Sequence, residues 1–274
     1  MSRRNFLDKT LIQVTTALKE TLVYEELAGR PGLLQRLDPR AKVLAALVLL
    51  LAVGLAQRIE VLVALYLLTL PLAWFSRLPV GTFVRRVWLF MPFFTAAIAV
   101  PALFITPGDP GLVLLTRPFV LVVTVQGART ALTLIVRVAA SVSLSLLLVQ
   151  TTRWPALLKA LRTLRVPQPL VLILSMTRRY IFSLLQKAED MLLARRSRLV
   201  GRLPAAEGRR VAAGMAGTLV AHSYHMSQEI HLAMEARGFR GEVRLAEELR
   251  WRARDVFSVV VALLLGVLAT WMGR

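Results

Sequence analysis

GARTALTLIVRVAASVSLSLLLV, residues Gly127–Val149, decides the fold class. It carries two charges, Arg129 near its start and Arg137 in its middle, in a run otherwise apolar or small and hydroxylic. At about 1.5 Å per residue, a helix of this length crosses an apolar layer about 30 Å thick. Upstream, apolar runs cover about Ala41 to Ala56, Ile59 to Phe75 and Val87 to Ile105, and downstream one covers Val256 to Trp271. The chain of 274 residues is 56% hydrophobic, with mean hydropathy +0.61. A soluble protein this apolar would expose large greasy patches, whereas a membrane protein turns them toward lipid.

Charge completes the pattern. There are 35 Lys+Arg against 16 Asp+Glu. Nineteen of the bases lie between Arg153 and Arg254, seven precede Ala41, and Arg77, Arg85 and Arg86 follow the second run. The opposite side holds only Arg58, Arg117, Arg129 and Arg274. By the bias of Lys and Arg toward cytoplasmic loops, the N-terminus is expected inside, with five spans and the C-terminus outside. The same bias accounts for the net charge of +19 without nucleic acid, for which no motif is present. Absence of cysteine excludes disulfides, thiolate metal sites and cysteine nucleophiles. No signal-peptide core follows Met1.

Local signals divide the chain at 1–40, 41–152, 153–254 and 255–274. Phe6, Leu7, Leu11, Val14, Leu18, Leu22 and Tyr24 fall near helical spacing, which predicts an amphipathic surface helix. Asp38-Pro39 predicts a helix start, Asp38 as cap and Pro39 where its missing N–H costs nothing. Pro107–Gly111 is expected to turn, and Leu112–Val125, interrupted by Arg117-Pro118, to form a loop or re-entrant piece. The basic stretch predicts three long helices: Trp154–Val166, ending at Pro167; Leu170–Leu199; and Ala205–Arg237, stopped by Gly238. The expected architecture is therefore an all-α integral membrane protein with about five spans and a cytoplasmic platform of three helices, suited to docking another protein.

At this point several short signatures stand in one order: Arg36-Leu37-Asp38-Pro39-Arg40-Ala41-Lys42, Ser76-Arg77-Leu78-Pro79, Gln150-Thr151-Thr152, Leu157–Pro167, Thr177-Arg178-Arg179-Tyr180-Ile181 and Ala233-Met234-Glu235-Ala236-Arg237-Gly238-Phe239. Together they resemble the transmembrane (T) component of energy-coupling factor transporters, the EcfT/CbiQ family, in its cobalt-type branch. The resemblance implies a prokaryotic cell-membrane subunit whose coupling helices sit on two ABC ATPase subunits. It also implies a separate substrate-binding S component. Ala236-Arg237-Gly238 matches the family's second Ala-Arg-Gly signature. The first is replaced here by Ala194-Arg195-Arg196-Ser197-Arg198, so its arginine is Arg198 by register after Ala188-Glu189, or Arg195. Each signature arginine is implied to reach into a groove of one ATPase, where a guanidinium gives a planar fork of donors. Uptake of cobalt or nickel is the first expectation for cargo, with a vitamin as the other.

The remaining polar residues point to no enzyme. There is no P-loop, and Glu189 and Asp190, being adjacent, point about 100° apart on a helix. No acidic or cysteine cluster supports His222, His225 and His231, which are read as surface or packing residues, so neither metal nor cofactor is expected. Arg137 must face the bundle, a water-filled cavity or the S component, because an unpaired charge in a span is costly. A stand-alone channel or secondary transporter is the alternative, and it would need a polar path of which Arg137 is the clearest element.

Overall fold

A computed structural model describes residues 28–29, 32–89, 95, 110–115, 121–198, 205–241 and 251–273. The described chain is helical apart from one short hairpin: a 3-10 turn Leu34–Arg36, α1 (Pro39–Leu55), α2 (Ile59–Phe75), α3 (Val80–Leu89), β1 (Pro110–Leu115), β2 (Leu121–Thr124), α4 (Val125–Thr151), α5 (Trp154–Thr163), α6 (Gln168–Arg198), α7 (Ala205–Ala236) and α8 (Ala253–Met272). The expected amphipathic helix before residue 28 and most of the third apolar run lie outside the described residues.

Two corrections follow. Where the sequence predicts a loop or re-entrant piece, the described backbone of residues 110–115 and 121–124 forms an antiparallel pair rather than an irregular loop. Pro110 stands opposite Thr124 and Leu115 opposite Leu121, with register shifts between Pro110 and Leu112 and between Val113 and Leu115. Runs of Leu and Val on either side of a break favour a pleated pair. The first platform helix is also short, because α5 ends at Thr163. Arg165 there adopts φ 66°, and its N–H bonds Arg162 O while Val166 N–H bonds Leu161 O. This is a Schellman turn made by a non-glycine residue. The corner Ser76-Arg77-Leu78-Pro79 repeats it: Arg77 has φ 53°, and the N–H groups of Arg77 and Leu78 bond Trp74 O and Ala73 O.

The molecule divides into two compact units. One comprises Glu26–Ala160 with Leu249–Arg274, the other includes Leu161–Glu248. In the first, α8 packs along α1, and α4 packs against both α1 and α2. Small residues make the α1–α8 seam close: Ala262, Gly266 and Ala269 are buried on α8, opposite Ala46, Ala52 and Ala56 on and after α1. A Cβ on Gly266 would stand 2.9 Å from Val48 Cγ1, too near for two carbons. Such spacing of small residues is the usual means of bringing helices together where lipid surrounds them. Around that seam Leu49, Val53, Leu62, Leu65, Ala140 and Leu144 form one core. Ala73, Leu78, Phe83, Val87, Ala139 and Leu147 form a second, which seats α3.

Outward, the bundle is apolar. Leu47, Leu51, Leu67, Leu264, Val267 and Trp271 are more than half exposed. Gln126–Thr151 and Ala253–Met272 are long and apolar enough to cross a membrane, yet only 33% and 22% buried over their most apolar windows. A soluble core helix would be largely hidden; these faces suit lipid. The 17 residues of α2 reach the lower limit for a span. The chain is a helical membrane protein.

Candidate functional site

Two sets of charged residues stand out, one in each unit. In the helical unit, α7 runs 32 residues, about 48 Å, and ends in a well-formed cap. Gly238 takes φ 79°; its N–H bonds Glu235 O at 2.9 Å, and Phe239 N–H bonds Met234 O at 3.0 Å. The left-handed conformation carries little cost for glycine, so the turn closes directly after Arg237. Ala236, Arg237 and Gly238 are all exposed, and Arg237 directly precedes the positive-φ glycine. One turn earlier, His231 Nε2 pairs with Glu235 Oε1 at 3.3 Å on the surface. The C-terminal turn of α6 carries Arg195, Arg196 and Arg198, all exposed, where cations suit the helix dipole. Ser197 Oγ donates to Ala194 O at 2.9 Å within that turn. The structure thus places both sequence-predicted arginine groups at the ends of long helices.

These helices bury little. Leu170, Ile173, Ile181, Leu193, Val220, Tyr224 and Leu232 are exposed by 47% or more, an apolar surface too large for a solvated pair of helices. Arg179 lies over the Tyr180 ring, 5.6 Å from its centroid.

The second set lies in the bundle, and α1 is its centre. At the start of α1, Asp38 Oδ1 accepts from Arg40 N–H at 2.8 Å, capping the helix as expected, with Pro39 at its first position. Asp38 N–H in turn donates to Asp255 Oδ1 at 2.8 Å, and Asp255 Oδ2 accepts from Arg252 N–H at 2.9 Å. Lys42, buried one turn further on, donates to Thr151 O at 2.8 Å, the last residue of α4. At the far end of α1, Arg137 Nη2 donates to Ala56 O at 2.6 Å, and Gln57 N–H donates to Gly273 O at 2.9 Å. A cation at a helix C-terminus meets the negative end of its dipole. Each end of α1 is therefore tied to both α4 and α8.

This knot was not foreseen beyond the Asp38 cap and the need for Arg137 to face something. Lys42 carried a usable signal: a lysine one turn inside an apolar span needs a partner, as Arg137 does. Among the described residues, no group of three His, Cys, Asp or Glu side chains gathers that could hold a metal ion.

Comparison with known proteins agrees with this architecture. Residues 32–247 match the family described as cobalt transport protein, CbiQ. An uncharacterised protein of Methanocaldococcus jannaschii is 32% identical over 264 residues, covering 94% of this chain and 90% of that one. The cobalt transport protein CbiQ of Rhodobacter capsulatus is 30% identical over 177 residues, covering 64% and 72%. The energy-coupling factor transporter transmembrane protein EcfT of Streptococcus thermophilus is 27% identical over 257 residues, covering 87% and 94%. With a lipid-suited bundle, exposed helical arms and a match over most of its length, the chain belongs to the CbiQ/EcfT family of energy-coupling factor transporter transmembrane components.

Proposed function

We propose that this chain is the non-catalytic coupling subunit of an ATP-driven importer in a prokaryotic cell membrane. It joins two ABC ATPase subunits to a substrate-binding S component. The single observation that carries the reading is the α7 corner, where Gly238 at φ 79° turns the chain immediately after an exposed Arg237. The closed turn fixes the backbone that carries Arg237, and its planar fork of donors suits a carboxylate- or carbonyl-lined groove. Arg198, or Arg195, supplies the equivalent group at the end of α6 for the second ATPase.

In this reading the N-terminus and residues 153–254 are cytoplasmic, as the distribution of bases supports. Closure of the ATPases on ATP displaces the ends of α6 and α7. The exposed apolar residues of these helices, Leu170, Ile173 and Leu232 among them, receive the S component. Arg137, bonded to Ala56 O, holds the bundle together. The cargo follows from the S component; a transition metal ion such as cobalt or nickel is the first expectation, and a vitamin the second.

Arg237→Glu tests the proposal. In membranes bearing the whole transporter, the variant is expected to insert normally, lose co-purification of an ATPase subunit, and lose most ATP-driven uptake. Full uptake with an intact complex would refute the role given to Arg237.

A further inference from the structure

The bundle contains a cleft that the coupling role does not use. Its volume is about 1100 Å³, at the upper limit of small-molecule sites. α1 and α4 form its floor through Ala46, Leu49, Leu144 and Leu147, while α2 and α8 supply its walls through Leu68, Leu72, Val261 and Leu265. At one end these apolar walls give way to Arg36, Arg77 and Arg254, with Lys42 and Thr151 behind them.

The geometry points to an anionic glycerophospholipid of the adjacent leaflet, its phosphate between Arg36, Arg77 and Arg254 and an acyl chain lying along Leu72, Val261 and Leu265. Four observations select this occupant. All three arginines sit at the same end of the bundle: Arg36 precedes α1, Arg77 follows α2, and Arg254 opens α8. All three are exposed, and among the described residues none of these guanidiniums is bonded to a carboxylate. The nearby carboxylates are already engaged, since Asp255 accepts two backbone N–H groups and Asp38 caps α1. Lys42 is bonded to Thr151 O behind the three arginines, which alone outnumber the two carboxylates Asp38 and Asp255, so the cleft rim has a net positive charge.

Depth agrees with charge. From Arg254 to Leu265 the α8 wall descends about 16 Å, close to the half-thickness of a bilayer's apolar core, about 15 Å. Phe257 and Phe75, 70% and 57% exposed, flank the rim where aromatic rings favour the interface. A soluble anion would use the cations but leave the apolar walls wet, and an apolar ligand would leave three guanidiniums idle. Only an amphiphile with an anionic head satisfies both. Which leaflet supplies it rests on the orientation proposed above; the existence of the site does not.

Native mass spectrometry of the full chain, purified in mild detergent and supplied with phosphatidylglycerol or phosphatidylcholine, tests the site. Wild-type protein is expected to retain one phosphatidylglycerol in preference to phosphatidylcholine. R36Q/R77Q/R254Q should weaken that retention by about a hundredfold, since each base near a membrane surface contributes roughly fivefold. Val261→Trp, which fills the cleft and keeps every cation, should abolish it as well. R58Q/R129Q, outside the cleft, should leave it unchanged. Equal retention of the two lipids, or undiminished phosphatidylglycerol on either cleft variant, would overturn the assignment. So would a cross-link from Phe257 showing a protein segment, from this chain or a partner, seated in the cleft with no lipid retained.

Discussion

In the bundle, Val53, Leu62, Ala73, Phe83 and Ala139 are shielded almost completely, and polar groups at both ends of α1 are bonded across to α4 and α8. In the helical unit, Leu192 is the one buried hydrophobic residue on the 31 residues of α6, and α7 has none among its described side chains. Both regions are helical and both are rich in leucine, alanine and valine. They differ in where the apolar surface is satisfied. The bundle closes on itself and gives its remaining apolar faces to lipid. The helical pair keeps large side chains such as Val220, Tyr224 and Leu232 uncovered, as a surface built for other proteins would. Burial thus separates a part that closes on its own core from a part whose apolar surface stays uncovered.

Breaking the bundle's polar knot should give the largest effect. Asp255→Ala leaves Asp38 N–H and Arg252 N–H without their acceptor and removes a carboxylate near the buried Lys42. A loss of about 3–5 kcal/mol is expected, read as a lower thermal midpoint in detergent. Matched truncations then sharpen the contrast. Leu62→Ala, at a fully buried position, should cost about 2–4 kcal/mol, whereas Leu232→Ala, 64% exposed, should stay within about 0.5 kcal/mol. Leu232→Ala should instead reduce co-purification of partners. Equal losses of stability at the two positions would erase the distinction.

Backbone effects are smaller. Gly238→Ala imposes a side chain at φ 79° and should destabilise the α7 terminus by about 1 kcal/mol, detectable as faster amide hydrogen exchange in its last turn. Arg165→Gly has the opposite sign. Relieving φ 66° at the α5 corner should stabilise by about 0.5–1 kcal/mol, visible as slower exchange near Thr163.

Much of the fold was legible because its signals are local. Ile59–Phe75 forms the helix its apolar run predicts, Asp38 caps α1 as its place before Pro39 implies, and Gly238 stops α7. The strand pairing of residues 110–115 with 121–124 was not legible because a short apolar run interrupted by Arg117-Pro118 fits several backbones until pairing decides among them. The knot and the cleft were hidden for another reason. Asp38 meets Asp255 across 217 positions, and Lys42 meets Thr151 across 109. No periodicity within one helix encodes a meeting between four of them. Arg237 was singled out through its motif, and its setting, a helix end followed by the Gly238 turn, is itself written locally.

The most direct measurement is affinity purification of the tagged chain from native membranes in mild detergent, followed by uptake in liposomes with and without ATP. The coupling account predicts that ABC ATPase subunits and a small membrane protein travel with the chain, and that uptake requires ATP. A chain that purifies alone and carries solute without ATP would contradict it and identify a self-sufficient transporter.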